Sequence, residues 1–137
     1  MGEPACFAHL LNDEGRMPDP PGVRIRRVYE AGPPDPHEIR VLVDRVWPRG
    51  VRKESLGLDR WAKEVAPSAD LRRWFAHDPR KWVQFQRRYR EELAARTPEL
   101  KALAMLARAG GLVLLYGTRD NEHNQAAVLK DVLEEVL

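Results

Sequence analysis

Two short segments gather the side chains that could do chemistry. In the first, Asp44-Arg45-Val46-Trp47-Pro48-Arg49-Gly50-Val51-Arg52-Lys53, an acid is followed by four cations and a tryptophan. Guanidinium forks bind carboxylates and phosphates bidentately, and a neighbouring indole can stack on a planar group. Arg45 and Arg49 are therefore candidate anion ligands and Trp47 a candidate stacking platform, while Asp44 could orient an arginine or act as a base. The competing reading is structural: an Asp44–arginine pair that only holds the loop, with Trp47 in the core.

The second segment is Tyr116-Gly117-Thr118-Arg119-Asp120-Asn121-Glu122-His123-Asn124. It precedes a helical pattern, and a helix start presents backbone N–H groups without intrahelical partners. Asn121 or Asp120 is a natural N-cap. Arg119, Asn121 and Asn124 offer groups to an anion or a carbonyl, and His123 is the candidate for general acid or base work. Here the plain alternative is that the asparagines cap and His123 is a surface residue. No metal is expected, because His9, His37, His77 and His123 are scattered without ligand spacing. No Gly-rich phosphate loop and no serine nucleophile elbow is present, so no cofactor is indicated.

Both segments need a scaffold that brings them to one edge. Ile25–Tyr29 reads as a strand, and the Pro- and Gly-rich turn 31–36 separates it from a second strand over residues 39–46. So short a link suggests an antiparallel hairpin, with a compact parallel connection as the alternative. Leu58, Trp61, Ala62 and Val65 fall at helical spacing and predict a helix that Pro67 stops. Ser68 caps a second helix burying Leu71, Trp74 and Phe75. Asp78-Pro79 and Thr97-Pro98 each open another, the former carrying Trp82, Phe85, Tyr89 and Leu93 on one stripe. Leu112–Tyr116 is wholly apolar, as a strand buried on both faces must be, and 124–137 forms a last amphipathic helix. The expectation is a single α/β domain over 23–137: a small, mostly parallel sheet of about three strands with four to five helices. The second and last strands are the expected parallel neighbours, and ligands of open α/β sheets sit beyond the carboxyl ends of the strands. The two candidate segments both follow such ends.

Composition bounds the rest. The 137 residues are 43% hydrophobic and 32% charged, which is globular, and no run is long enough for a membrane span. Residues 1–22 hold four acids, one base and four prolines, those at 18, 20 and 21 clustered, and read as a flexible leader. They lack an export signal, and one cysteine, Cys6, forms no internal disulfide, so a cytoplasmic location is expected. With a net charge of +2, the remaining residues carry about +5. Arg72, Arg73, Arg80, Lys81, Arg87 and Arg88 interleave with tryptophans, which raises a nucleic-acid reading. The periodicity instead assigns Trp61, Trp74 and Trp82 to the core and the arginines to a wet face, with no recognition helix.

The strings VLVDRVWPRGVRKESLGLDRWAKEVAPSADLRRWFAHDPRKWVQFQRRYREEL and LVLLYGTRDNEHNQAAVL resemble the bacterial family catalogued as domain of unknown function 488, in its YeaO-like branch. The resemblance covers roughly residues 24–137 and implies a compact α/β fold. It implies no established activity, substrate or cofactor. Other branches carry a Cys-His-Arg string where this chain has Glu122-His123-Asn124, which argues against thiol chemistry here. The functional expectation is binding of a small anionic or phosphate-bearing ligand at the Arg-rich loop. The alternative is a non-enzymatic nucleic-acid or protein-binding module using the basic helical face. Whether the site turns its ligand over is left open by the residues alone.

Overall fold

A computed structural model describes residues 22–136. The leader 1–21, with Cys6, and Leu137 lie outside the described residues. Four strands, β1 (Val23–Arg27), β2 (Ile39–Leu42), β3 (Arg60–Trp61) and β4 (Leu112–Tyr116), form one sheet in the order β1-β4-β2-β3, and every pairing is parallel. Five helices accompany them among the described residues: α1 (Lys53–Leu56), α2 (Ala69–Phe75), α3 (Trp82–Ala94), α4 (Thr97–Ala109) and α5 (Gln125–Glu135).

β4 is central, paired along Leu112–Tyr116 to all of β1 and along Leu112–Leu115 to β2. All five of its residues are buried, and they alternate between two cores. Leu112, Leu114 and Tyr116 join Val41, Val43 and the apolar faces of α2 to α5. Val113 and Leu115 point the other way, into Val28, Ala31, Leu42 and Leu56, with Trp47, Val51, Leu58 and Trp61 packed around them. One face is thus covered by helices, the other by the two segments that lead into and out of β2. Each covering segment buries its own apolar residues, so the sheet needs no long helix on that side.

Two expectations are corrected. β1 and β2 are not a hairpin: they run parallel, with β4 inserted between them. The chain makes that crossover through residues 28–38, using a 3-10 turn at Val28–Glu30 in place of a helix. The helix expected through Leu58–Val65 is also absent. Trp61 belongs to the two-residue strand β3, and Lys63–Val65 is a 3-10 turn. The apolar spacing there is shared between two cores, with Ala62 and Val65 in the first and Leu58 and Trp61 in the second. An apolar repeat alone could not separate these cases. The other helix starts hold: Ser68 Oγ accepts the Leu71 N–H at 3.1 Å, and Asp78 opens a 3-10 turn running into α3.

Inside β2 sits Arg40, with no solvent exposure. All five of its N–H donors are used: Nε to Glu38 Oε2 (2.9 Å), Nη1 to the carbonyls of Gly32 and Leu56 (2.9 and 3.0 Å), and Nη2 to those of Ala31 and Pro33 (2.9 and 3.1 Å). Burial opposes ionisation of Glu38, but hydrogen bonds from Arg40 and Arg26 outweigh it and hold that carboxyl below its ordinary pKa. Removing one partner of such a buried pair strands the other. Arg40→Met is therefore expected to destabilise the domain by about 3–5 kcal/mol in urea unfolding. Arg40→Lys should recover little of that loss, since three donors cannot meet five acceptor positions.

Candidate functional site

The carboxyl ends of β2 and β4 lie side by side, and the two loops that leave them meet. Gln125, the first residue of α5, donates its Nε2 hydrogen to Asp44 Oδ1. Gly117 makes this approach feasible, since a Cβ there would stand 2.8 Å from Asp44 Oδ2. Arg45 reaches back with Nε to the Pro67 carbonyl (2.9 Å) and with Nη2 to that of Ala66 (3.3 Å), tying the strand-end loop to the segment that starts α2. Ser68 is fixed in turn by Glu92, whose carboxylate accepts its N–H (2.8 Å) and its hydroxyl (2.6 Å). These ties set α2, and with it Arg72, over the end of the sheet.

Two adjoining cavities of about 240 and 230 Å³ open there. Both are lined by Pro67, Arg72, His77, Thr118 and Gln125; one adds His123 and Asn124, the other Asp44 and Arg45. Burial pushes the Asp44 carboxyl up to about 6, against the opposing pull of the Gly117 N–H, the Arg72 charge and the Gln125 amide. Close to neutral pH, this cleft therefore has an acid at its base that can hold a proton and cations around its mouth.

The candidates from the sequence divide. Asp44, Arg45, His123 and Asn124 are brought together. Asn124 is nonetheless the N-cap of α5: its Oδ1 accepts the Ala127 N–H and its Nδ2 donates to Asp120 O, both at 2.9 Å. It shapes the wall with few groups left for a ligand. His123 is held by the Asp120 carboxylate (Nδ1 to Oδ2, 2.9 Å) and lies edge-on to Trp82, with ring centroids 5.1 Å apart. Trp47 is not in the cleft. It packs on the opposite face, edge-on to Trp61 at 5.3 Å, with Nε1 donating to Val51 O at 2.7 Å. Arg49 and Asn121 are exposed and line neither cavity; the Arg49 carbonyl accepts the Tyr29 hydroxyl at 2.7 Å. Arg119 borders a neighbouring groove.

Arg72, His77, Thr118 and Gln125 join the site without having been candidates from the sequence. His77 follows Ala76 in the left-handed region, at φ 56° and 48° respectively. Non-glycine residues pay roughly 1–2 kcal/mol each for that conformation, and such strain clusters where structure serves function. The segment is pinned by the Ala76 N–H on Arg72 O and the Asp78 N–H on Phe75 O, both 3.0 Å. His77 Nδ1 stands 3.4 Å from Thr118 Oγ1, across the mouth of the cleft. Nothing in the residue types signals this. The turn after α2 could have drawn attention to His77 through Asp78-Pro79, which demands a sharp break just before it.

A parallel α/β domain with a partly buried acid and cations at the carboxyl edge of its sheet is the class of protein these features define. The chain belongs to the family described as the inactive DUF488-N3 subclade, whose model matches residues 22–137. It is 40% identical over 118 residues to the Uncharacterized protein YeaO of Escherichia coli, covering 83% of this chain and 98% of that one. It is 42% identical over 114 residues to the Uncharacterized protein Rv3073c of Mycobacterium tuberculosis, covering 81% of this chain and 92% of the relative. No solved structure matches the chain. Among the described residues no group of three or more His, Cys, Asp or Glu could hold a metal ion, and no helix is long and apolar enough to cross a membrane.

Two outcomes test this geometry. Because the folded state keeps the Asp44 proton to about pH 6 while an unfolded aspartate releases it near 4, stability should fall as pH rises through that window. The full shift corresponds to about 3 kcal/mol. Asp44→Asn should flatten this decline and raise unfolding free energy at pH 7 by about 1–3 kcal/mol, read from urea melts at several pH values. For His77→Gly, relief of about 1–2 kcal/mol of left-handed strain offsets the entropic cost of glycine, so the change should stay within about 1 kcal/mol. A larger loss would mean that the imidazole itself holds the fold.

Proposed function

We propose that the protein binds a small anionic ligand, phosphate- or carboxylate-bearing, in the cleft at the carboxyl edge of the sheet, and does so without covalent turnover. The observation that carries this reading is the meeting of the two strand-end loops: Asp44 joined to Gln125, with Arg45, Arg72, His77 and Thr118 lining one opening. Arg72 is the anion's principal cation, being exposed at the rim and close enough to act on the Asp44 charge. A cavity of about 240 Å³ suits a compact ligand, since larger drug-sized molecules take roughly 300–1,000 Å³.

Asp44 gives the site its pH response. Ionised, it repels an anion; protonated, it donates a hydrogen bond to one. Affinity for an anion therefore strengthens as pH falls through about 6. The absence of a cysteine from 22–137, Cys6 being the sequence's one thiol, takes thiol chemistry away from this cleft. Binding without turnover also agrees with the family's description as inactive. Such a ligand and a single cysteine are in keeping with a cytoplasmic protein.

The basic helical face is the weaker rival for function. Arg73 pairs with Asp70, Arg80 with Asp78 at 3.1 Å and Arg90 with Glu135 at 2.9 Å, while Arg88 covers the Trp74 ring at 4.2 Å. Two arginines of that face are thus already paired with acids, which reduces the field it offers a nucleic-acid backbone.

Calorimetric titration with inorganic phosphate and with short single-stranded oligonucleotides separates the two. The ratio of phosphate affinity at pH 5.5 to that at pH 7.5 should be higher in the wild type than in Asp44→Asn, a comparison in which the phosphate's own loss of charge at the lower pH cancels. Arg72→Ala should weaken phosphate binding roughly tenfold or more, the loss of one charge-assisted hydrogen bond, and Arg49→Ala should leave it unchanged. Salt-sensitive oligonucleotide binding with no phosphate binding would replace this reading with the rival one.

A further inference from the structure

The cleft does not end at His77. A third, wider space of about 630 Å³ begins on the other side of that residue, lined by Arg27, Tyr29, His77, Gly117, Thr118, Arg119 and Asp120. His77 and Thr118 thus belong to all three spaces and form the sill between cleft and groove. Resting on the proposed binding of an anion in the cleft, we infer that the ligand carries two anionic groups on one short backbone, of the diphosphate type. One group sits with Arg72 in the cleft, and the other crosses His77 to meet Arg27 and Arg119 in the groove.

Three features of the groove support a second anionic subsite. Its cations flank the paired strands: Arg27 ends β1, in register with Tyr116 at the end of β4, and Arg119 stands three residues beyond Tyr116 in the loop that follows. Arg27 is held in place beforehand: Nε donates to Thr118 O at 3.1 Å, and the guanidinium lies 4.5 Å from the centre of the Tyr29 ring. A fixed cation loses little freedom when a ligand arrives, which favours affinity. The acid on the wall, Asp120, is engaged by the turn that precedes α5. Burial opposes its ionisation, but the N–H groups of His123 and Glu122 and the His123 ring outweigh that and keep it a satisfied carboxylate. Its oxygens are occupied by these donors, and its single negative charge stands against the two arginines of the groove.

The sill explains why a histidine occupies a strained position. A group at residue 77 faces both spaces only because the left-handed turn Ala76–His77 carries the chain outward from the end of α2. The imidazole, beside the Thr118 hydroxyl, can donate a hydrogen bond to the oxygen that bridges two phosphoryl groups. No bond is made or broken in this arrangement; it is a binding geometry.

Titration of the full chain with inorganic orthophosphate and inorganic pyrophosphate at one pH and constant ionic strength tests the inference. The wild type should bind pyrophosphate at least about tenfold more tightly, as two simultaneous charge-assisted contacts require. Arg119→Glu should abolish that advantage, so that pyrophosphate binds this variant no more tightly than orthophosphate does. Arg87→Glu, the same charge change at an exposed α3 residue lining none of the three spaces, should preserve it. Orthophosphate bound with no gain for pyrophosphate would overturn the two-subsite inference and leave the cleft intact. Equal losses in Arg119→Glu and Arg87→Glu would reduce the gain to bulk charge and overturn it as well. Failure of both anions to bind the wild type would remove the cleft reading itself.

Discussion

One guanidinium, that of Arg40, holds this architecture together. A charge at the centre of a parallel sheet is unfavourable unless every donor is met, and here each one is. Its partners are not scattered. Glu38 and the carbonyls of Ala31, Gly32 and Pro33 belong to the crossover from β1, and Leu56 to the crossover towards β3. Both segments lack the long helix that normally covers a parallel sheet, and both are fastened to the same side chain. The second core is therefore organised from its polar centre, with Leu42, Val113 and Leu115 packing around it. The loop leaving β2 inherits this fixed origin, including the direction in which Asp44 departs from the sheet.

How much of this was legible depends on the range of each interaction. β4, α3 and α5 depend on their own periodicity or on complete burial, and the sequence displays them. The parallel pairing of β2 with β4 could be inferred from the long helical stretch between them. The insertion of β4 between β1 and β2 could not, because it is decided by contacts between residues far apart in the chain. β3 is two residues long, too short to carry any period. Trp47 takes the core place of the competing reading and not the stacking role, for a related reason: after a strand end the alternation of faces no longer holds, and the indole turns to Trp61 and the second core.

The site shows the same division. Asp44 and the loop after β4 could be located from the rule that α/β ligands gather at carboxyl strand ends. Arg72 and Gln125 read as ordinary helix residues and gain meaning only from what α2 and α5 are packed against. His77 is one of four scattered histidines in the sequence, and its distinguishing property is a backbone angle. Residue type reveals chemistry that is possible in principle. It does not reveal which side chains the fold strains or buries.

Burial of Asp44 and left-handed turning at Ala76–His77 both work against stability, and both border the same opening. A domain selected for stability alone would place an amide at residue 44 and would not turn the chain through the left-handed region at residues 76 and 77. The cost of each is bearable because the scaffold beneath them is over-determined: Arg40 locks the second face, and Ser68 with Glu92 and Arg45 with Pro67 lock the start of α2. Tension confined to one edge of an otherwise satisfied structure is the physical reason to look for a ligand there. A charged group entering the cleft would add partners for Asp44, Arg72 and His77, and its binding energy would offset the cost that the fold alone now carries.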